Sequence, residues 1–164
     1  MLKNSIITVV IIAIIAYLLI RHMKNDYSSM FKKALATFPK DVVSNAEKIY
    51  RLETDNFSSN QFIKTFSAGM EPSLSTYPYG WTSIANNLWS KHPEYKPSGF
   101  LPFIENGTGK TKNFLKFPNF EAGLFSLCAF LSLSGNNPGR WFSTNVNSQN
   151  LYNEKISKIK TSFV

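Results

Sequence analysis

The segment KDVVSNAEKIYRLET, residues 40 to 54, places Val42, Ala46, Ile49 and Glu53 at i, i+4, i+7 and i+11, so one helix face carries three apolar residues and then a carboxylate. A carboxyl group at the end of an apolar face loses hydration, and desolvation raises its pKa because the charged form is penalised. Such a group can stay protonated near neutral pH. That is the requirement for a general acid that protonates a departing sugar oxygen during glycoside cleavage. Taken alone, a glutamate at a helix end more often turns out to solvent, so Glu53 has to be judged by its surroundings.

Other motifs carry less. Gly109-Lys110-Thr111 looks like the end of a phosphate-binding loop, but Ile104 stands where the upstream Gly is needed and no helix-opening pattern follows. His22 and His92 are far apart with no Cys or acidic cluster at ligand spacing, so no metal site and no cofactor are expected. Asn56-Phe57-Ser58 and Asn106-Gly107-Thr108 are glycosylation sequons that matter only in a secretory eukaryotic setting. The lone Cys128 lies in an apolar run and reads as core. A net charge of +8 suits an anionic partner such as wall polymer, lipid headgroups or nucleic acid. The lysines are dense near the amino-terminal apolar run and towards residue 160, away from the aromatic loop, which argues against a single-stranded nucleic-acid groove.

Helical patterns dominate the elements that must hold Glu53. Pro39 closes a basic, polar stretch, and the Glu53 helix follows it. From Asp55 to Pro78 the chain is rich in Ser, Asn, Gly and Pro, which predicts ordered loop with little regular structure. A short helix is expected from Ser83 to Lys91, stopping at His92-Pro93. Phe100 to Phe117 reads as an irregular hairpin turning at Asn106-Gly107. Asn119 can cap a buried helix from Phe120 to Leu133 that Gly135 stops. Ser148 can cap a last helix with a stripe of Leu151, Tyr152, Ile156 and Ile159.

The stretch Ile49 to Met70 (IYRLETDNFSSNQFIKTFSAGM) resembles the glucosaminidase and lytic transglycosylase branch of the lysozyme-like superfamily. In that branch a helix ends in a catalytic Glu followed by a small residue, and a Phe-Ser loop leads to an Asn-Pro-x-Gly-Met-like element lining the cleft. Glu53-Thr54, Phe57-Ser58-Ser59 with Phe62, and Phe66-Ser67-Ala68-Gly69-Met70 are similar to these parts in turn, with Ser-Ala-Gly-Met departing from the usual Asn. Phe117 to Gly123 resembles the aromatic stretch leading into a long buried helix, and Trp141-Phe142-Ser143 with Leu151-Tyr152 the closing segment. The likeness covers about residues 40 to 160. It implies a mainly α, lysozyme-like α+β fold with a small irregular β-hairpin, acting on the N-acetylated glycan of peptidoglycan with Glu53 as acid. Thr54, Phe57, Gly69 and Met70 would line the substrate. A second carboxylate would come from Glu71, Glu105 or Asp55, unless the substrate's own acetamido group or 6-hydroxyl takes that role. Tyr77, Tyr79 and Trp81 are candidates for stacking on sugar, or equally for wedging the loop onto the core.

Ser5 to Ile20 (SIITVVIIAIIAYLLI) has no charge and no Pro or Gly, and at about 1.5 Å per residue it covers roughly 24 Å. Residues 1–22 are therefore expected to be a single transmembrane anchor, residues 23–39 a juxtamembrane tether or helix, and residues 40–164 the catalytic domain. A cleaved signal peptide competes, although Arg21, His22, Met23 and Lys24 are bulky and basic where a peptidase needs small residues. A buried core helix fits least. The count of basic residues mildly favours a cytoplasmic domain, against a wall-cutting role. The combined expectation is a single-pass protein of a virion membrane or bacterial inner membrane, its domain facing the cell wall, most simply a lytic component of a membrane-containing bacteriophage. The competing expectation is a non-catalytic wall-binding or structural membrane protein of a virion.

Overall fold

Apolar residues recurring at helical spacing have to bury their faces against one another. The computed structural model, which describes residues 2–71, 81–105 and 109–164, leaving out the side chains of 2–7, 16–25 and 81, does so with a mainly helical body and one two-stranded sheet. The expected turn at Asn106-Gly107 lies outside the described residues.

Helix α1, Leu2–Leu35, is continuous, so the stretches expected as anchor and as tether belong to one element. Its distal part enters the core: Phe31 and Ala34 are fully buried, and Tyr27 and Met30 pack beside them. Among the described residues no helix is long and apolar enough to cross a membrane, so the expected transmembrane helix finds no support there. Within the apolar run, side chains are described only from Thr8 to Ile15, roughly 12 Å of helix at about 1.5 Å per residue.

Helix α2, Lys40–Glu53, begins after Pro39 and ends on Glu53, and Val42, Ala46 and Ile49 are buried as their spacing predicts. The following segment is more regular than its composition suggests. Helix α3, Asn60–Thr65, forms there because the Ser59 side chain caps it, accepting from Phe62 N at 3.1 Å. Helix α4, Trp81–Ile84, runs on as a π-helical turn, Ala85–Trp89, that buries Leu88, and a 3₁₀ turn follows at Pro93–Tyr95. Strands β1, Gly99–Ile104, and β2, Thr111–Lys116, pair antiparallel from Gly99↔Lys116 to Ile104↔Thr111, an unbroken register where an irregular hairpin is expected. The sheet is tied to the α3 segment: Leu115 N donates to Met70 O at 2.7 Å and Phe117 N to Thr65 O at 2.9 Å.

Helix α5, Phe120–Leu133, is the central helix, capped by Asn119 and buried from Ala122 through Leu131. Gly123 is needed there because a Cβ would lie 2.0 Å from the Phe66 carbonyl oxygen and 2.8 Å from Tyr50 Oη. Helix α6, Pro138–Phe142, and helix α7, Val146–Ser157, pack together through Gly139, with no room for a Cβ against Gln149. Asn145, not Ser148, caps α7; its Oδ1 accepts from Ser148 N at 3.1 Å. The expected stripe is narrower than its spacing suggests: Tyr152 and Ile156 are buried, Leu151 is exposed, and Ile159 lies beyond the end of the helix.

Candidate active site around Glu53

Glu53 is the last residue of α2, and the backbone turns sharply after it. Asp55, Asn56 and Phe57 have φ of 46°, 54° and 70°, three consecutive non-glycine residues in the left-handed region. Asp and Asn tolerate this conformation, whereas Phe does not, and strained residues of this kind cost on the order of 1–3 kcal/mol each. Thr54 holds the turn. Its hydroxyl donates to Tyr50 O and accepts from Phe57 N at 3.0 Å, while its carbonyl accepts from Ser58 N and Ser59 N at 2.9 and 3.0 Å. Phe57 is pinned by aromatic neighbours, stacked on Tyr27 at 5.0 Å and edge-on to Phe62 at 5.6 Å.

The residue as a whole is exposed, in contrast to the inward position its place on the helix face suggests. Its carboxyl is nevertheless partly enclosed. Tyr152 Oη, from α7, donates to Glu53 Oε1 at 2.7 Å. Desolvation pushes the Glu53 pKa above the ordinary carboxylate range, and the Tyr152 hydrogen bond and the charge of Lys155 pull it part of the way back. Tyr152 itself is buried, and burial together with the Glu53 charge drives its pKa far up, so the phenol keeps its proton and remains a donor. Phe142 lies parallel to the Tyr152 ring, centroids 4.8 Å apart and planes 9° from parallel, and is 57% exposed. Glu53, Tyr152 and Phe142 together form a small patch with one raised acid, one fixed hydroxyl and one accessible aromatic face. It can deliver a proton and present a flat apolar surface.

The other expected site residues are placed differently from one another. Thr54 and Phe57 are buried and shape the Glu53 turn. Gly69, with φ of 87°, permits the bend before Met70, which is fully buried. Glu71 and Glu105 converge on Lys112, at 3.1 and 2.7 Å from its Nζ, and these two hydrogen bonds, Glu105 first, raise the lysine's pKa. Asp55 lies in the left-handed turn, where its carbonyl accepts from Ser58 Oγ at 2.5 Å. Tyr77 and Tyr79 lie outside the described residues; Trp81 opens α4, with its side chain outside the description. Among the described residues no group of three His, Cys, Asp or Glu side chains could hold a metal ion.

Reasoning from sequence missed the roles of Tyr152 and Phe142. Tyr152 had a place in an apolar stripe, and no local signal announces that its hydroxyl meets a carboxylate 99 positions away. Compared with known proteins, no family model, no curated protein and no solved structure matches this chain.

Proposed function

We propose that this chain is a peptidoglycan-cutting enzyme, a glycoside hydrolase or lytic transglycosylase with a lysozyme-like fold, in which Glu53 is the general acid. The observation that carries the reading is the Glu53 carboxyl itself: raised towards the protonated form by desolvation, and held at 2.7 Å by a tyrosine that keeps its proton. A carboxyl shifted towards its protonated form is the kind of group that glycoside cleavage needs at the leaving oxygen. The strained turn after Glu53 supports the same reading, because such strain concentrates at functional sites. The mainly helical body with its small sheet is compatible with the resemblance in the Glu53 to Met70 region.

The enzyme is proposed to be membrane-anchored through Ser5–Ile20, in a phage virion membrane or a bacterial inner membrane. Val9, Val10, Ile11, Ile12, Ile14 and Ile15 expose 50–66% of their surface around the helix, which suits a lipid environment better than water. A second reading, a wall-binding or structural protein without catalysis, is favoured by the exposure of Glu53 and by the engagement of Glu71 and Glu105 with Lys112.

Turbidity loss of purified Gram-negative peptidoglycan separates the two. Native protein should clear the suspension and Glu53→Gln should not, with product masses then telling hydrolysis from anhydro-sugar formation. Binding to insoluble wall without clearing, equal in both forms, would establish the second reading.

A further inference from the structure

Glu47 has no place in the proposed chemistry, yet its side chain is 0% exposed on the face of α2 that packs inward. A buried carboxylate needs partners, and Glu47 finds several of them in one segment distant in sequence. Its Oε1 accepts from Ser162 N at 2.7 Å, and its Oε2 accepts from Phe163 N at 3.1 Å. Arg51, one helical turn further along α2, completes the set: Nε donates to Glu47 at 2.8 Å and Nη2 to Ser162 Oγ at 2.5 Å. Backbone amides can be recruited this way only while residues 162–164 lie flat against α2.

The Phe163 ring then reaches two other parts of the fold. It stacks on Phe31 of α1 at 5.3 Å with planes 16° apart, and lies 5.8 Å from Phe57 in the left-handed turn after Glu53. The Arg51 guanidinium sits over Phe163 at 5.0 Å and over Phe57 at 5.5 Å, so one cation bridges both rings. The segment after α7 thus touches the helix that bears the apolar run, the helix that bears Glu53, and the strained turn between Glu53 and α3.

We propose that Ser162–Val164 is a strap that closes over α1 and α2, fixing α1 to the body and bracing the turn that follows Glu53. Its consequence is mechanical: one short segment adds a shared brace to the seating of α1 on the body and to the Glu53 turn, beyond the core contacts of Tyr27 and Phe31 and the hydrogen bonds of Thr54. The strap stands whether or not Glu53 cuts glycan, because it is read from protection and not from turnover.

Hydrogen exchange followed by mass spectrometry tests it on the full chain in detergent, native against Phe163→Ala. Amides of residues 27–35 and 57–59 should exchange about tenfold faster in the variant, while residues 124–131 of α5 keep their native rates. Phe163→Leu, which keeps apolar bulk but offers Arg51 no ring face, should fall between the two. Native-like exchange at 27–35 and 57–59 in Phe163→Ala overturns the strap. Equal acceleration at 124–131 overturns it as well, since that is a general loss of stability. If Phe163→Ala does not fold, the same comparison made with Phe163→Leu decides.

Discussion

The carboxyl of Glu53 feels two opposing influences, and their balance sets what it can do. Desolvation holds the proton on, whereas the Tyr152 hydroxyl and the Lys155 charge favour its loss. Because the folded-state pKa is raised, the contribution to stability is fully present below the ordinary carboxylate pKa and is lost as pH rises through the raised value. Glu53→Gln keeps the oxygen that accepts from Tyr152 and removes the ionisation. Its melting temperature should match the native protein near about pH 4 and exceed it near about pH 8, as thermal unfolding at the two pH values would reveal. Tyr152→Phe acts the other way on the proton. Without its donor, Glu53 should hold the proton to higher pH, so that, if the proposed clearing activity is present, its alkaline limb moves upward and its rate falls by about tenfold, ~1.4 kcal/mol of barrier. A pH profile that does not move would mean that Tyr152 is packing only.

At the scale of elements, side-chain caps set several boundaries. Asn119, Ser59 and Asn145 each accept from a backbone N–H at the start of a helix, satisfying a donor that the helix leaves open. For α7 the sequence points to Ser148 as the cap, and the fold uses Asn145 instead. Asn145→Ala should therefore cost about 1 kcal/mol in denaturant unfolding and Ser148→Ala less than about 0.5 kcal/mol. Equal costs would undo the assignment of the cap. The choice is tertiary: α6 and α7 meet at Gly139 against Gln149, and Asn153 Oδ1 accepts from Gly139 N at 2.7 Å, so α7 must start early enough to place Gln149 and Asn153 beside α6.

For the whole molecule, the unbroken course of α1 ties the apolar run to the body, since Phe31 and Ala34 are core residues of the same helix whose residues 9 to 15 are exposed. Anchoring is a proposal with a direct readout. Full-length protein expressed in a bacterium should stay with membranes through an alkaline wash, and a chain starting at residue 25, which retains Tyr27, Phe31 and Ala34, should leave with the supernatant. Release of the full chain by the wash would remove the anchor from the proposal. It would leave the Glu53 chemistry untouched.

How much was legible in the sequence depends on the range of the interaction concerned. Val42, Ala46, Ile49 and the run from Ala122 to Leu131 announced buried faces because helical periodicity is a local property, and Asn119 announced a cap because its hydrogen bond spans three residues. Glu53 could be put forward as a candidate acid only from its place at the end of such a face together with the resemblance of the residues that follow it. Its exposure, its tyrosine partner and the burial of Thr54 and Phe57 could not, because each depends on where α7 and the aromatic cluster come to rest. Glu47 is the clearest case: in sequence it is an ordinary helical glutamate in i,i+4 register with Arg51, and only the return of residues 162 and 163 makes it a buried anion held by backbone amides. Local periodicity is fixed by the order of side chains along the chain, whereas the partners of a buried charge are fixed by which distant segments the packed core brings together.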